Sequence, residues 1–122
     1  MSETDLVMYA GDDRSFLLTI TGLADVTGAE ARFTAKRRLS DSDDEAIIAL
    51  TTGGGEVEVV DATHIRVDVP RAATVALTRE LRLVWDLKVA LGGEVRTLPD
   101  PEFSRVSLGR LIVRRPVAIT AP

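Results

Sequence analysis

Along most of this chain apolar and polar residues alternate with a period of two. In Ala29-Glu30-Ala31-Arg32-Phe33-Thr34-Ala35-Lys36 every odd position is apolar and every even one polar. That pattern predicts a strand with one buried and one wet face. Ile65, Val67 and Val69 alternate with His64, Arg66 and Asp68 in the same way. Leu81, Leu83, Trp85, Leu87, Val89 and Leu91 form the longest stripe, and Phe16, Leu18 and Ile20 a shorter one. A helix would scatter each of these sets around its circumference, so strands are expected.

The segments between the runs carry turn chemistry. Gly92-Gly93 separates the Trp85 stripe from Glu94–Leu98 by the two residues of a tight hairpin. Asp61-Ala62-Thr63 suggests a second hairpin between Glu56–Val60 and His64–Val69, and Thr51–Gly55 a flexible connection after Ala46–Leu50. Pro70–Leu77 is the one helical candidate, opened by a proline and long enough for one or two turns. Leu98-Pro99-Asp100-Pro101 reads as a stiff corner, followed by strands at Ser104–Leu108 and Leu111–Val113 with Gly109 breaking them apart. Seven to nine short strands at this spacing predict an all-β fold. The expected form is an antiparallel, immunoglobulin-like β-sandwich with one short helical turn, a small barrel being the alternative. Residues 1–122 are expected to form a single domain, with extended arms at 1–10 and 114–122.

Composition narrows the class. Hydrophobic residues make up 45% and charged residues 28% of the 122, as in ordinary globular domains. Aromatics are only 4%, so aliphatic side chains must fill the core. The net charge is -4, and the only basic runs are Lys36-Arg37-Arg38 and Arg114-Arg115, expected to be solvated. A nucleic-acid partner is not expected from this balance. With no cysteine, disulfides and thiolate metal sites are excluded. Met1–Asp5 is acidic with no apolar stretch behind it, which reads as no secretory signal, and synthesis in the cytoplasm is expected. No apolar run approaches the roughly 20 residues of a spanning helix, so no membrane partner is expected.

Candidate chemistry is sparse. His64 is the only histidine and lies just after a turn, so it reads as a surface residue. No G-x-S-x-G, Walker or dinucleotide pattern occurs, and Gly53-Gly54-Gly55 lacks the lysine and helix of a phosphate loop. Asp41-Ser42-Asp43-Asp44-Glu45 offers oxygen ligands of the kind calcium takes, but the EF-hand glycine and distant glutamate are missing, and a solvated acidic loop is expected. By parity Trp85 fills the core while Asp86 faces outward near Arg32 or Lys88. No catalytic, cofactor-binding or metal residue is assigned, and an enzyme is not expected.

A set of segments resembles a known family. These are Ala10-Gly11-Asp12-Asp13 before an alternating strand, Phe33–Arg37 running into Leu39–Asp43, and the Ala46–Leu50 strand with its glycine turn. A Val-rich hairpin and Leu83–Val89 complete the set. Over nearly the whole chain this pattern resembles the small tail-associated proteins of tailed bacteriophages that look like the N-terminal domain of baseplate upper proteins. The resemblance implies a β-sandwich building block at tail, neck or baseplate, located in the virion and contacting other virion proteins and copies of itself. Those larger proteins continue into a coiled or receptor-binding region. The present sequence stops at Pro122, and a stand-alone adaptor or decoration part is therefore expected. The alternative is a surface- or carbohydrate-binding sandwich module, including capsid decoration. It would need exposed aromatics, for which Tyr9 and Phe103 are the candidates after parity buries Trp85, Phe16 and Phe33.

Overall fold

The computed structural model describes residues 5–20, 25–38, 40–77, 79–98 and 109–114. They form nine strands: β1 Asp5–Tyr9, β2 Arg14–Thr19, β3 Glu30–Lys36, β4 Ile48–Thr51, β5 Val57–Asp61, β6 His64–Val69, β7 Leu81–Leu91, β8 Glu94–Leu98 and β9 Gly109–Arg114. Two sheets result. The larger has the order β1-β9-β7-β3-β4 with β8 also on β7, and the smaller the order β2-β6-β5. The chain changes sheet between β1 and β2, β2 and β3, β4 and β5, and β6 and β7.

One face of each sheet is apolar because the alternation places it so. Phe33, Leu83, Trp85, Leu87, Val89, Leu111 and Val113 from the large sheet meet Phe16, Leu18, Val57, Ile65, Val67 and Val69 from the small one in a single cluster. The two sheets thus close over one core as an all-β sandwich. Trp85 is its largest member and stacks on Phe33 across the β3–β7 pair, ring centroids 5.4 Å apart and planes 27° from parallel. Leu81 and Leu91, at the two ends of the long stripe, are only half-buried.

β7 is the spine of the large sheet. Its 11 residues pair with β3 on one edge. On the other edge, β9 covers Leu81–Trp85 and β8 covers Leu87–Leu91. The facing ends of these two partners, Gly109 and Leu98, lie opposite Trp85 and Leu87. The β7–β8 turn is the expected two-glycine hairpin, with Gly92 at φ 60° and Gly93 at φ 84°. Positive φ at both central residues is what a turn matching strand twist requires.

Three expectations are corrected. Residues 5–10 are not an extended arm: β1 pairs in parallel with β9, and Leu6, Met8 and Ala10 are buried. Leu6, Met8 and Ala10 gain their buried side from the parallel neighbour β9, a partner far away in the chain. Arg114, expected to begin a C-terminal arm, is the last residue of β9 and lies opposite Tyr9. Gly109 does not break a strand but begins β9, where the absence of a side chain makes room for Trp85. Pro70–Leu77 does carry the expected short helical turn, a single 3₁₀ turn at Arg71–Ala73, with Pro70 itself extended before it. The Ser104–Leu108 strand, Phe103, Arg115 and the remainder of the C-terminal segment through Pro122 lie outside the described residues.

Candidate functional site

His64 opens β6 beside the turn that Asp61 closes. Its Nδ1 lies 2.8 Å from Asp61 Oδ1 and 3.1 Å from Thr63 Oγ1. Asp61 Oδ1 also accepts the Thr63 backbone N–H at 2.9 Å. That N–H, followed by the His64 ring, holds the Asp61 carboxyl below the usual aspartate range. Hydroxyl, imidazole and carboxylate are all present, but hydroxyl and carboxylate share one ring nitrogen. A proton relay needs them on opposite nitrogens, so that the base can take a proton on one side while being oriented from the other. The cluster instead locks the hairpin tip. Its backbone carbonyls in turn receive the neighbouring segment: Ala62 O accepts from Val26 N at 2.9 Å and Thr63 O from Ile20 N at 2.7 Å.

The acidic loop is folded onto itself. Glu45 Oε1 accepts from the Ser42 backbone N–H at 3.1 Å and the Ser42 hydroxyl at 3.0 Å, while Glu45 N donates to Ser42 O at 3.0 Å. This half of a capping box closes the 3₁₀ turn Asp43–Glu45 and lowers the Glu45 pKa, chiefly through the Ser42 N–H. Asp41 accepts the Arg38 N–H on Oδ2 at 3.3 Å, and its carbonyl accepts from Lys36 Nζ at 2.9 Å. Two of the carboxylates a cation would need are thus committed to the chain's own donors. No cluster suited to a metal ion occurs among the described residues.

The aromatic candidates divide as parity implies. Phe16, Phe33 and Trp85 are buried, leaving Tyr9, 47% exposed, as the aromatic on the surface among the described residues. A sugar platform built on several rings is not found among them. Leu17, Val60 and Val95 are exposed apolar residues standing on strands.

Pairing reveals an arrangement that alternation alone did not. The register aligns Arg82, Ile112 and Val7 in one row on the outer face of the large sheet. Lys36, Val84 and Arg110 form the next row, and Arg114 lies opposite Tyr9. Arg32 and Lys88 are paired further along the same face. Asp86, half-buried on this face, lies opposite Thr34, whose side chain is buried. The basic residues that look interspersed in one dimension therefore share one surface. The signal was their common parity with the wet positions, but only the strand order brings the rows together.

No family model, curated protein or solved structure matches the chain.

Proposed function

We propose that this protein is a non-enzymatic structural or adaptor subunit of a tailed-bacteriophage virion, located in the particle at tail, neck or baseplate in several copies. Its partners are other virion proteins and further copies of itself. The observation that carries the reading is a surface of broad strand faces bearing exposed apolar side chains among charges. Leu17 and Val60 stand on the small sheet, Tyr9 and Val95 on the large one. Such mixtures of aliphatic, tyrosine and arginine side chains are what protein interfaces use. The outer strands β1, β4, β2 and β5 also end the two sheets among the described residues, and strand edges can accept a further chain. The motifs that suggested the phage family occupy structural positions consistent with a building block. Ala10–Asp13 is the crossover between sheets, and Leu83–Val89 lies within the central strand.

The test is localisation. An antibody against the chain is applied to particles purified from a lysate of the source culture, with immunogold microscopy and quantitative mass spectrometry. Stoichiometric presence in particles, labelled at a fixed position, supports the reading. A chain absent from purified particles, and found only in the soluble fraction, overturns it.

A further inference from the structure

The two outer faces of the sandwich carry opposite charge. On the large sheet, Arg32, Lys36, Arg82, Lys88, Arg110 and Arg114 stand at outward positions, against Glu30 and Asp86. Arg82, Lys88, Arg110 and Arg114 have no carboxylate partner among the described residues. Around Arg82, Arg110 and Arg114 lie Val7, Val84 and Ile112, half-buried, and Tyr9. On the small sheet the outward positions hold Glu58, Asp61 and Asp68 around Arg66 and His64. Arg66 is shared between Glu58 and Asp68, with Nε 3.2 Å from Asp68 Oδ1, so one of the two negative charges is left over. Leu17, 61% exposed, lies directly opposite Arg66, and Val60 is 48% exposed on the neighbouring strand.

We propose that the basic outer face of the six-stranded sheet docks on the acidic outer face of the three-stranded sheet of a second copy. The Arg82–Arg110–Arg114 corner would meet the Glu58–Asp61–Asp68 face, and Val7, Tyr9 and Ile112 would cover Leu17 and Val60. Charge complementarity within one chain is what selects a copy as the occupant. The chain as a whole is acidic at -4, so a concentrated basic face is not a general affinity for polyanions. The two faces point in opposite directions, so the contact is heterologous: each copy presents one of each face, and copies add head to tail into a ring or a stack. The three-stranded face bounds the contact: three strands about 4.8 Å apart and about 17 Å long make a small interface of the weak, transient class. This inference deepens the multi-copy reading above and rests on it for its setting, naming the two surfaces that join.

The experiment is sedimentation velocity on the full chain and two variants, with thermal melts to confirm folding. R82E/R110E reverses the charge of the Arg82–Arg110–Arg114 corner; L17K/V60K alters only exposed side chains and cancels the net negative charge of the acidic face. The wild type is expected to associate progressively with concentration at about 50 mM salt and at least roughly ten-fold more weakly at about 500 mM. Each variant alone is expected to remain monomeric. Mixed one to one they are expected to form a heterodimer, because the first retains the acidic face and the second the basic one. A folded wild type that stays monomeric at millimolar concentration and low salt overturns the proposal. So does association that stops at a symmetric dimer, or a mixture that stays monomeric while the wild type associates. An oligonucleotide bound by the wild type, released by R82E/R110E and unaccompanied by self-association, would assign the basic face to a nucleic acid instead. Association in solution by a chain that is absent from particles would sink the virion reading while leaving this contact standing. Particles that incorporate both monomeric variants normally would sink the contact's role and leave the virion reading intact.

Discussion

Gly109 lies directly opposite Trp85 in the β7–β9 pair, and the indole occupies the space in which a Cβ at position 109 would stand. A methyl group there would overlap Cε2, Nε1 and Cδ2 of the ring. Trp85 cannot retreat easily, because its other side is stacked on Phe33. Gly109→Ala is therefore expected to destabilise the domain by about 1–3 kcal/mol, the range for overpacking a core. In the Trp85→Leu background the same substitution should cost measurably less, since the indole is gone. Chemical denaturation of the two single variants and the double variant provides the cycle. Strict additivity would mean that the glycine is not there to accommodate the ring.

The face assignment along β7 is tested by truncation. Trp85 is only 5% exposed, and removing it leaves a cavity against Phe33, so Trp85→Ala should cost about 3–5 kcal/mol. Arg82 lies on the same strand with opposite parity and is exposed, so Arg82→Ala should cost under about 0.5 kcal/mol. Thermal melts of the isolated variants separate the two. Comparable losses at both positions would place the faces of β7 the other way or leave both half-buried.

Acid should loosen the turns before it reaches the sheets. Asp25, Glu45 and Asp61 are held below their ordinary pKa values, foremost by hydrogen bonds from Thr27, Ser42 and Thr63 respectively. A carboxyl group whose folded pKa is depressed adds stability that is complete above its unfolded pKa and is lost as pH falls through the folded one. All three groups are solvent-exposed, so the effect on global stability is expected to be small. Carboxyl carbon shifts followed by NMR should show these three titrating below the ordinary aspartate and glutamate values. Normal titration of Asp61 with an intact fold would dissolve the hairpin-tip cluster around His64.

Much of the fold was legible because alternation is a local signal. Phe33, Val67, Trp85 and Val89 could be assigned to the core from parity alone, and they are buried. The two-glycine turn followed equally from spacing. What was not legible depends on partners distant in sequence. Leu6, Val7, Met8 and Tyr9 looked like an arm because only the parallel neighbour β9 gives them a buried side. Gly109 resembled a break because its reason lies in an indole 24 positions earlier in the chain, visible only through the register. The basic face was hidden for the same cause. Arg82, Arg110 and Lys36 sit on three strands whose order no single run of residues specifies. His64 was expected at the surface; its ring is half-buried and bound to Asp61, a partner three residues away that turn chemistry places beside it.

The most informative remaining substitution joins two crossovers that lie far apart in the chain. Thr74 is fully buried, and its hydroxyl oxygen accepts the Gly11 backbone N–H at 2.9 Å across 63 positions. Gly11 stands at φ 84°, so its amide is directed there by a conformation that favours glycine. Two residues later Asp13 Oδ1 accepts the Arg71 N–H at 2.8 Å, at the start of the 3₁₀ turn that leads to Thr74. The β1–β2 connection is thereby fastened to the β6–β7 connection, both of which carry the chain from one sheet to the other. Thr74→Val keeps the shape of the side chain but leaves the Gly11 N–H without its acceptor, which should cost about 1–3 kcal/mol. Thr74→Ser keeps the oxygen and loses one methyl group, and its cost should be nearer about 1 kcal/mol. Hydrogen exchange gives a readout specific to the contact: the Gly11 amide should be protected in the wild type and in Thr74→Ser, and exchange faster in Thr74→Val under conditions where the β3 and β7 amides remain slow. Equal protection of Gly11 in all three proteins would show that its N–H is satisfied elsewhere, and that the two crossovers are held together by packing rather than by this bond.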